Sequence, residues 1–383
     1  MPWEEKTLTM LRARFVEEFE SCLYTMSELC ARYGISRKTG YKWLERYVAE
    51  GVEGLADRSR VPSHCPHRTA EELEQSLLDL RRTHPTWGPR KLLAWERKRS
   101  PEVSWPATST VGSLLKRHGL VESRRPARRR WVHPGRPTAQ AEGPNEIWTT
   151  DFKGQFRTGD GWLCYPLTVA DMHSRYLLGV QGLDSVAEEH AWPVFKRLFG
   201  EYGLPQVIRS DNGPPFASTS VGGLSHLSVQ WIKLGIRLER ITPGHPEQNG
   251  KHERMHRTLK AETARPPAAH RVAQQERFDQ FRRIYNEERP HEAIEQRTPI
   301  ELYASSPRQL PEQLPEPDYP DHFEVRYVHR GGEIKWRGEY LFVSEALRGE
   351  RVGLEEDSDG RWSVYFGAVL LARFEEPERK LYG

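Results

Sequence analysis

Cysteine is scarce in this chain: four residues in 383, Cys22, Cys30, Cys65 and Cys164, with no C-x-x-C pair among them. That scarcity argues against a disulfide framework and against a cysteine-rich zinc site, and it fits a reducing cytoplasm. The one local cluster, His64, Cys65 and His67 in SHCPH, lacks the second ligand pair that zinc requires. Long hydrophobic runs are missing too. None approaches the ~20 residues a bilayer crossing needs, so no membrane partner is expected. The opening MPWEEKTLTM carries acids and no long apolar core, so no signal peptide is expected either. No repeat of fixed period is present, and the chain reads block by block.

What is abundant is charge, and it is unevenly spread. The net charge is only +3, yet residues 1–140 hold 26 Lys and Arg against 17 Asp and Glu. A basic front half on a near-neutral protein points to an anionic polymer as partner. The pattern predicts a multidomain chain. An all-α front carries one helix-turn-helix unit over 8–60 and a second over 68–122. A basic linker covers 123–143, an α/β domain 144–305, and a small all-β barrel 320–383. The barrel rests on period-2 alternation in FEVRYV, YLFV and WSVYFG, with turn signals at Gly331-Gly332 and Asp359-Gly360.

In TMSELCARYGISRKTGYKWLERY, Thr25 or Ser27 caps a short helix, Gly34 turns the chain, and Ser36 caps a second helix. Ile35, Tyr41 and Leu44 are expected to pack inward. Arg37 sits at the start of the second helix, and Lys38, Lys42 and Arg46 recur every four residues on one exposed stripe, suited to a major groove and its phosphate walls. An ordinary solvated basic face is the plain alternative. The second block repeats the idea: EELEQSLLDLRRT, PTWGPRKLLAWER, then WPATSTVGSLLKRHG, whose last helix opens on Thr108 and Ser109 as expected capping and DNA-facing residues. Arg124, Arg125, Arg128, Arg129 and Arg130 follow in the linker. Two such units in tandem suggest a bipartite reader of double-stranded DNA.

Two carboxylates stand out in the α/β block. Asp151 ends the alternating run NEIWTTD, and a charge inside a first strand costs free energy unless it is paired or binds a cation. Asp211 follows the apolar run PQVI in RSDNGPPF, where Asp-Asn-Gly is also good turn chemistry. Asp160 and Asp171 read as turn residues.

Four segments in order, WTTDFKG, RSDNGPPF, PGHPEQNGKHERMHRTLK and YNEERPHEAIEQRTPIELY, resemble the integrase-like DDE transposases of bacterial insertion sequences, within the ribonuclease-H-like and retroviral integrase superfamily. The resemblance implies a ribonuclease-H-like core whose catalytic, metal-binding acids are Asp151, Asp211 and Glu253. It implies two Mg²⁺ ions, with Mn²⁺ as a substitute, acting on the attacking and leaving oxygens of a phosphodiester. The stretch from Asp211 to Glu253 is longer than the family's best-known spacing, which Glu247 would match. Glu253 is preferred because the family's acid follows an amide, a glycine and two more residues, as in QNGKHE.

On the helix of Glu253, His256, Arg257 and Lys260 fall near the same face as a row of cations for flanking DNA, and Asn249 lies one turn before it. Asn212, Gln248 and Asn249 are candidates for orienting water or DNA. The implied function is a DNA transposase that binds the terminal inverted repeats of its element, cleaves them and joins them to target DNA. It would act as a homodimer or higher oligomer in the cytoplasm, on the nucleoid. A DNA-binding regulator derived from a transposase and a ribonuclease-H-type nuclease are the rivals.

Overall fold

The computed structural model describes residues 8–58, 69–121, 140–218, 221–242, 249–358 and 360–375. The arginines Arg124, Arg125, Arg128, Arg129 and Arg130, together with Glu247, Gln248 and the SHCPH cluster, lie outside the described residues. The chain divides between Arg68 and Thr69 into two compact units.

The first unit is three helices, α1 (Leu8–Glu20), α2 (Met26–Tyr33) and α3 (Arg37–Glu50). Thr25 caps α2 reciprocally: its side chain accepts the Glu28 N–H while the Glu28 carboxylate accepts the Thr25 N–H. Gly34 then turns at φ 62, a left-handed conformation glycine adopts without a Cβ penalty. Ser36 caps α3. Ile35 and Leu44 pack against the core of Phe15, Leu29, Trp43 and Leu55, as expected. Tyr41 does not; it is 56% exposed. The reason is Gly40, which α2 approaches so closely that a Cβ would stand 2.7 Å from Met26 Sδ. With Gly40 at the closest point, the next residue is turned about 100° away. Lys38 and Lys42 are exposed, whereas Arg46 is half-buried with its guanidinium 5.1 Å from the Trp43 ring centre.

The second unit begins with α4 (Glu71–Thr83), α5 (Pro89–Arg99) and α6 (Thr108–Arg117) around Leu77, Trp87, Leu92, Val111 and Leu115. Thr108 and Ser109 are exposed in the first turn of α6 but do not cap it. Ala107 holds the cap position and no side chain bonds there. This bundle docks on the following domain through Ile284, through Arg90–Glu292 and Lys98–Glu301 pairs, and through Lys91, whose ammonium donates to the Pro290 carbonyl.

The central domain is a mixed sheet, β1 (Ile147–Phe152), β2 (Phe156–Arg157), β3 (Leu163–Asp171), β4 (Leu177–Leu183), β5 (Val207–Ser210) and β6 (Arg237–Arg240). Its order is β2-β3-β1-β5-β6, with β4 also on β3. The β1–β3 and β3–β4 pairs are antiparallel, and β1–β5 and β5–β6 are parallel. Alternation decides what each face meets. Trp148, Leu167 and Val169 pack against α7 (Glu188–Tyr202) and α8 (His226–Lys233). Cys164, Leu177 and Val180 pack against α9 (Gly250–Thr263) and α10 (Arg271–Arg283). This is the ribonuclease-H-like arrangement expected.

The C-terminal region is all-β. Strands β7 (Glu324–Tyr327), β10 (Arg351–Ser358), β11 (Arg361–Phe366) and β12 (Val369–Glu375) form one antiparallel sheet, and β8 (Glu333–Trp336) and β9 (Glu339–Phe342) another. Both enclose one core of Ile334, Trp336, Leu354, Trp362 and Phe374, which reaches Leu224 and Val229 at α8. Lys233 and Glu350 pair across that seam at 2.9 Å. Among the described residues no helix is long and apolar enough to cross a membrane.

Candidate active site

Strands β1 and β5 pair with Ile147 opposite Val207, Trp148 opposite Ile208 and Thr149 opposite Arg209. Carried two residues further, that register sets Asp151 opposite Asp211, which immediately follows β5. Neighbouring strands lie ~4.8 Å apart, and level residues point to the same face. The two carboxylates therefore stand side by side on one face, at the same end of two inner strands. Burial, followed by the Asp211 charge, pushes the Asp151 carboxyl up to about 7, with a smaller push from Glu253. Burial raises Asp211 as well.

The loop after Asp211 is a braced turn. Asp211 Oδ1 accepts the Gly213 N–H at 3.3 Å, and Asn212 donates its side-chain amide to the Ile241 carbonyl at 2.7 Å. Asn212 is thus a brace tying the loop to the end of β6. Two residues before Asp211, Arg209 is 1% exposed and grips both carboxylate oxygens of Glu239, at 3.0 and 2.9 Å. Breaking a buried pair from one side costs about 3 kcal/mol or more. Arg209→Ala is expected to lower the melting temperature by roughly 6–12 °C in calorimetry.

Helix α9 covers the same face. His252 Nδ1 is 2.9 Å from Thr149 Oγ1, while His252 Nε2 and His256 Nε2 lie 2.6 and 2.7 Å from Thr168 Oγ1. Thr168 in turn donates to the Asp151 carbonyl at 3.0 Å, and it stands opposite Asp151 across the β1–β3 ladder. Burial drives His252 down to about 3 and His256 to about 2, so both rings are neutral. The 3.6 Å approach of His256 Nδ1 to Asp151 Oδ2 is therefore a contact and not an ion pair. The expected row of cations on α9 is corrected on this point. His256 is a buried neutral brace, because Thr168 and Asp151 enclose it. Arg257 and Lys260 are exposed, as is Glu253, which lies 60° around the helix from His256. Asn249, at the helix cap, is 6% exposed and makes no capping bond. The neutral histidines, Thr149, Thr168 and the Arg209–Glu239 pair were not anticipated. The i, i+4 spacing of His252 and His256 was the one available signal.

Residues 141–246 match an integrase core domain model, and 234–299 match a second integrase core model. Residues 11–63 match a helix-turn-helix domain, 39–115 a homeodomain-like domain, and 323–380 the C-terminal domain of IS481 family transposases. The chain thus matches integrase core models over 141–299 and a transposase C-terminal model over 323–380. It is 25% identical over 245 residues to an insertion element IS407 protein of Burkholderia multivorans, covering 62% of this chain and 83% of that one. It is 24% identical to an insertion element IS476 protein of Xanthomonas euvesicatoria, covering 73% and 79%. A Gag-Pol polyprotein of baboon endogenous virus is 29% identical over 127 residues, 33% of this chain and 7% of the polyprotein.

The resemblance to integrase cores implies a divalent metal at this site. Among the described residues, no three His, Cys, Asp or Glu side chains stand close enough to enclose one. The residues present nonetheless fit an open hard-cation site. Asp151 and Asp211 offer only oxygen donors, they are level in register, and their mutual repulsion is what a bound cation relieves. Magnesium keeps several of its own waters and needs few protein ligands.

Proposed function

We propose that the chain is a magnesium-dependent DNA transposase. It binds the terminal inverted repeats of its element, hydrolyses the ends to free a 3′-hydroxyl, and joins that hydroxyl to target DNA by direct transesterification. The observation that carries this reading is the register match of Asp151 and Asp211, with Glu253 on the helix that crosses them. Asp151, Asp211 and Glu253 would hold the metal, with Mn²⁺ able to replace Mg²⁺. Two bound ions would neutralise charge on the phosphodiester and make a water or 3′-hydroxyl nucleophilic.

The chain's own part is positioning. Strands β1 and β5 fix the first two carboxylates, since the parallel ladder leaves neither free to slide. Neutral His252 and His256 hold Thr168, and Thr168 holds the Asp151 backbone, so the site keeps its shape without adding a competing positive charge. Arg257 and Lys260 would meet flanking phosphates. Arg37, Lys38, Lys42 and Arg46, with Thr108 and Ser109 on α6, would read or grip the repeat, joined by the linker arginines. Pairing two ends calls for a homodimer or higher oligomer on DNA, acting on the nucleoid in the cytoplasm.

End binding by the full chain should fall steeply with salt, because each phosphate contact releases counterions. Lys42→Ala is expected to weaken binding about fivefold or more and Glu45→Ala not at all, measured by fluorescence anisotropy at fixed salt. Equal affinity for unrelated duplexes would remove specific end recognition. A joining assay on labelled element ends separates the transposase from both rivals: a regulator gives no product, and a nuclease gives nicks alone.

A further inference from the structure

Below the catalytic carboxylates, on the same face of the sheet, the amino-terminal turn of α9 closes over a cavity of about 30 Å³. It is lined by Thr149, Asp171, Arg175, Arg209, Asn249 and Lys251, among others. Thr149 stands two residues before Asp151 on one strand, which is about 6.7 Å.

The charges around this cavity are unbalanced in one direction. Arg209 is committed to Glu239. Asp171 is committed too: one oxygen accepts the Asn145 N–H at 2.8 Å, and the other accepts the Ser174 N–H and hydroxyl at 2.8 and 2.6 Å. Arg175 and Lys251 have no side-chain hydrogen bond or ion pair among the described residues, and Arg175 Nε is buried without a partner. Arg175 is also held at φ 68, a left-handed backbone that costs an arginine free energy. Asn249 is 6% exposed, lines the same cavity and has a buried Oδ1 with no partner. Turning its amide over presents the NH₂ group instead. The dipole of α9 adds positive potential at that point.

We propose that Arg175, Lys251, Asn249 and the first turn of α9 form an oxyanion site, and that its ligand is one backbone phosphate of the DNA being processed. The cavity has room for a water or two and not for a whole phosphate. The phosphate therefore seats at the mouth, with one oxygen directed inward to Asn249 and Arg175 and the others facing Lys251. Its place one step along β1 from Asp151 holds the strand in register with the catalytic acids. The oxyanion chemistry stands on these residues alone; the identity of the ligand as DNA rests on the proposed function.

The test uses the full chain in two arms. In the first, inorganic phosphate is titrated at constant ionic strength without divalent metal, and the melting temperature is followed. The wild type should rise by about 2–4 °C at saturation. Lys251→Gln and Arg175→Asn should each lose most of that rise, and Lys196→Gln on α7 should keep it. Asparagine suits the left-handed backbone at position 175, so that variant should fold. In the second arm, duplex DNA binding is measured against salt. Each site variant should flatten the log–log slope by about 1, the value of one phosphate contact.

A melting shift that the variants do not change, or no shift at all, overturns the site. A phosphate effect with an unchanged DNA slope overturns the assignment of the ligand to DNA. A wild-type chain that binds no DNA defeats the proposed function, while the phosphate arm still decides the site.

Discussion

Asparagine at Asp151 should abolish cleavage and joining of element-end DNA, a loss of about a thousandfold or more, while end affinity stays within about twofold. The substitution removes a charge proposed to hold metal and leaves the helix-turn-helix units untouched. It should also make the protein more stable. In the folded chain the Asp151 carboxyl titrates at about 7, raised by burial and by Asp211. In the unfolded chain it titrates near the ordinary aspartate value of ~3.9. Between those values the folded state binds the extra proton, so stability falls as pH rises through that window. Wild type and Asp151→Asn should therefore melt together near pH 4 and separate by roughly 3–8 °C in favour of the variant at pH 8. Added Mg²⁺ should narrow the gap by stabilising the wild type alone. A variant that stayed active, or one less stable than wild type at pH 8, would contradict the role given to this residue. Asp211→Asn should match it in activity.

Exchanging the metal should give an equally large effect. The proposed donors are three carboxylates with no His or Cys, and both histidines of α9 are turned toward Thr168. Hard oxygen ligands favour Mg²⁺ and Mn²⁺, and these should support joining. Calcium is larger and tolerates loose geometry, so it should permit DNA binding without chemistry. Complexes formed in Ca²⁺ should therefore run as shifted bands and convert to product when Mg²⁺ is added. Full activity in Zn²⁺ alone, or joining that survives a chelator, would contradict the two-metal reading.

How much of this could be read from the sequence depended on whether a signal was local. The caps at Thr25 and Ser36 and the turn at Gly34 were readable because each acts within a few residues. The succession of strands and helices along the chain around Asp151 and Asp211 was readable from alternation and from the motifs. Tyr41 was misplaced because helical periodicity could not show that Gly40 marks the closest helix contact. Thr108 and Ser109 were given a capping role because they are good capping types, yet Ala107 holds the position. The neutral state of His256 was hidden because it depends on burial against the sheet, where its ring meets Thr168, 88 residues away. The Arg209–Glu239 pair was hidden for the same reason, joining residues on two different strands. The bond from Asn212 to Ile241 was hidden as well, since it reaches a residue 29 positions away at the end of another strand.

The most direct measurement is strand transfer by the full chain on a labelled duplex that carries the element's terminal repeat, in Mg²⁺ and with a supercoiled target. The wild type should yield a covalently joined product. Glu253→Gln should yield none while still shifting the duplex, and Glu247→Gln should yield close to the wild-type amount. Nicks without joined product, or an active Glu253→Gln beside an inactive Glu247→Gln, would contradict the site proposed here.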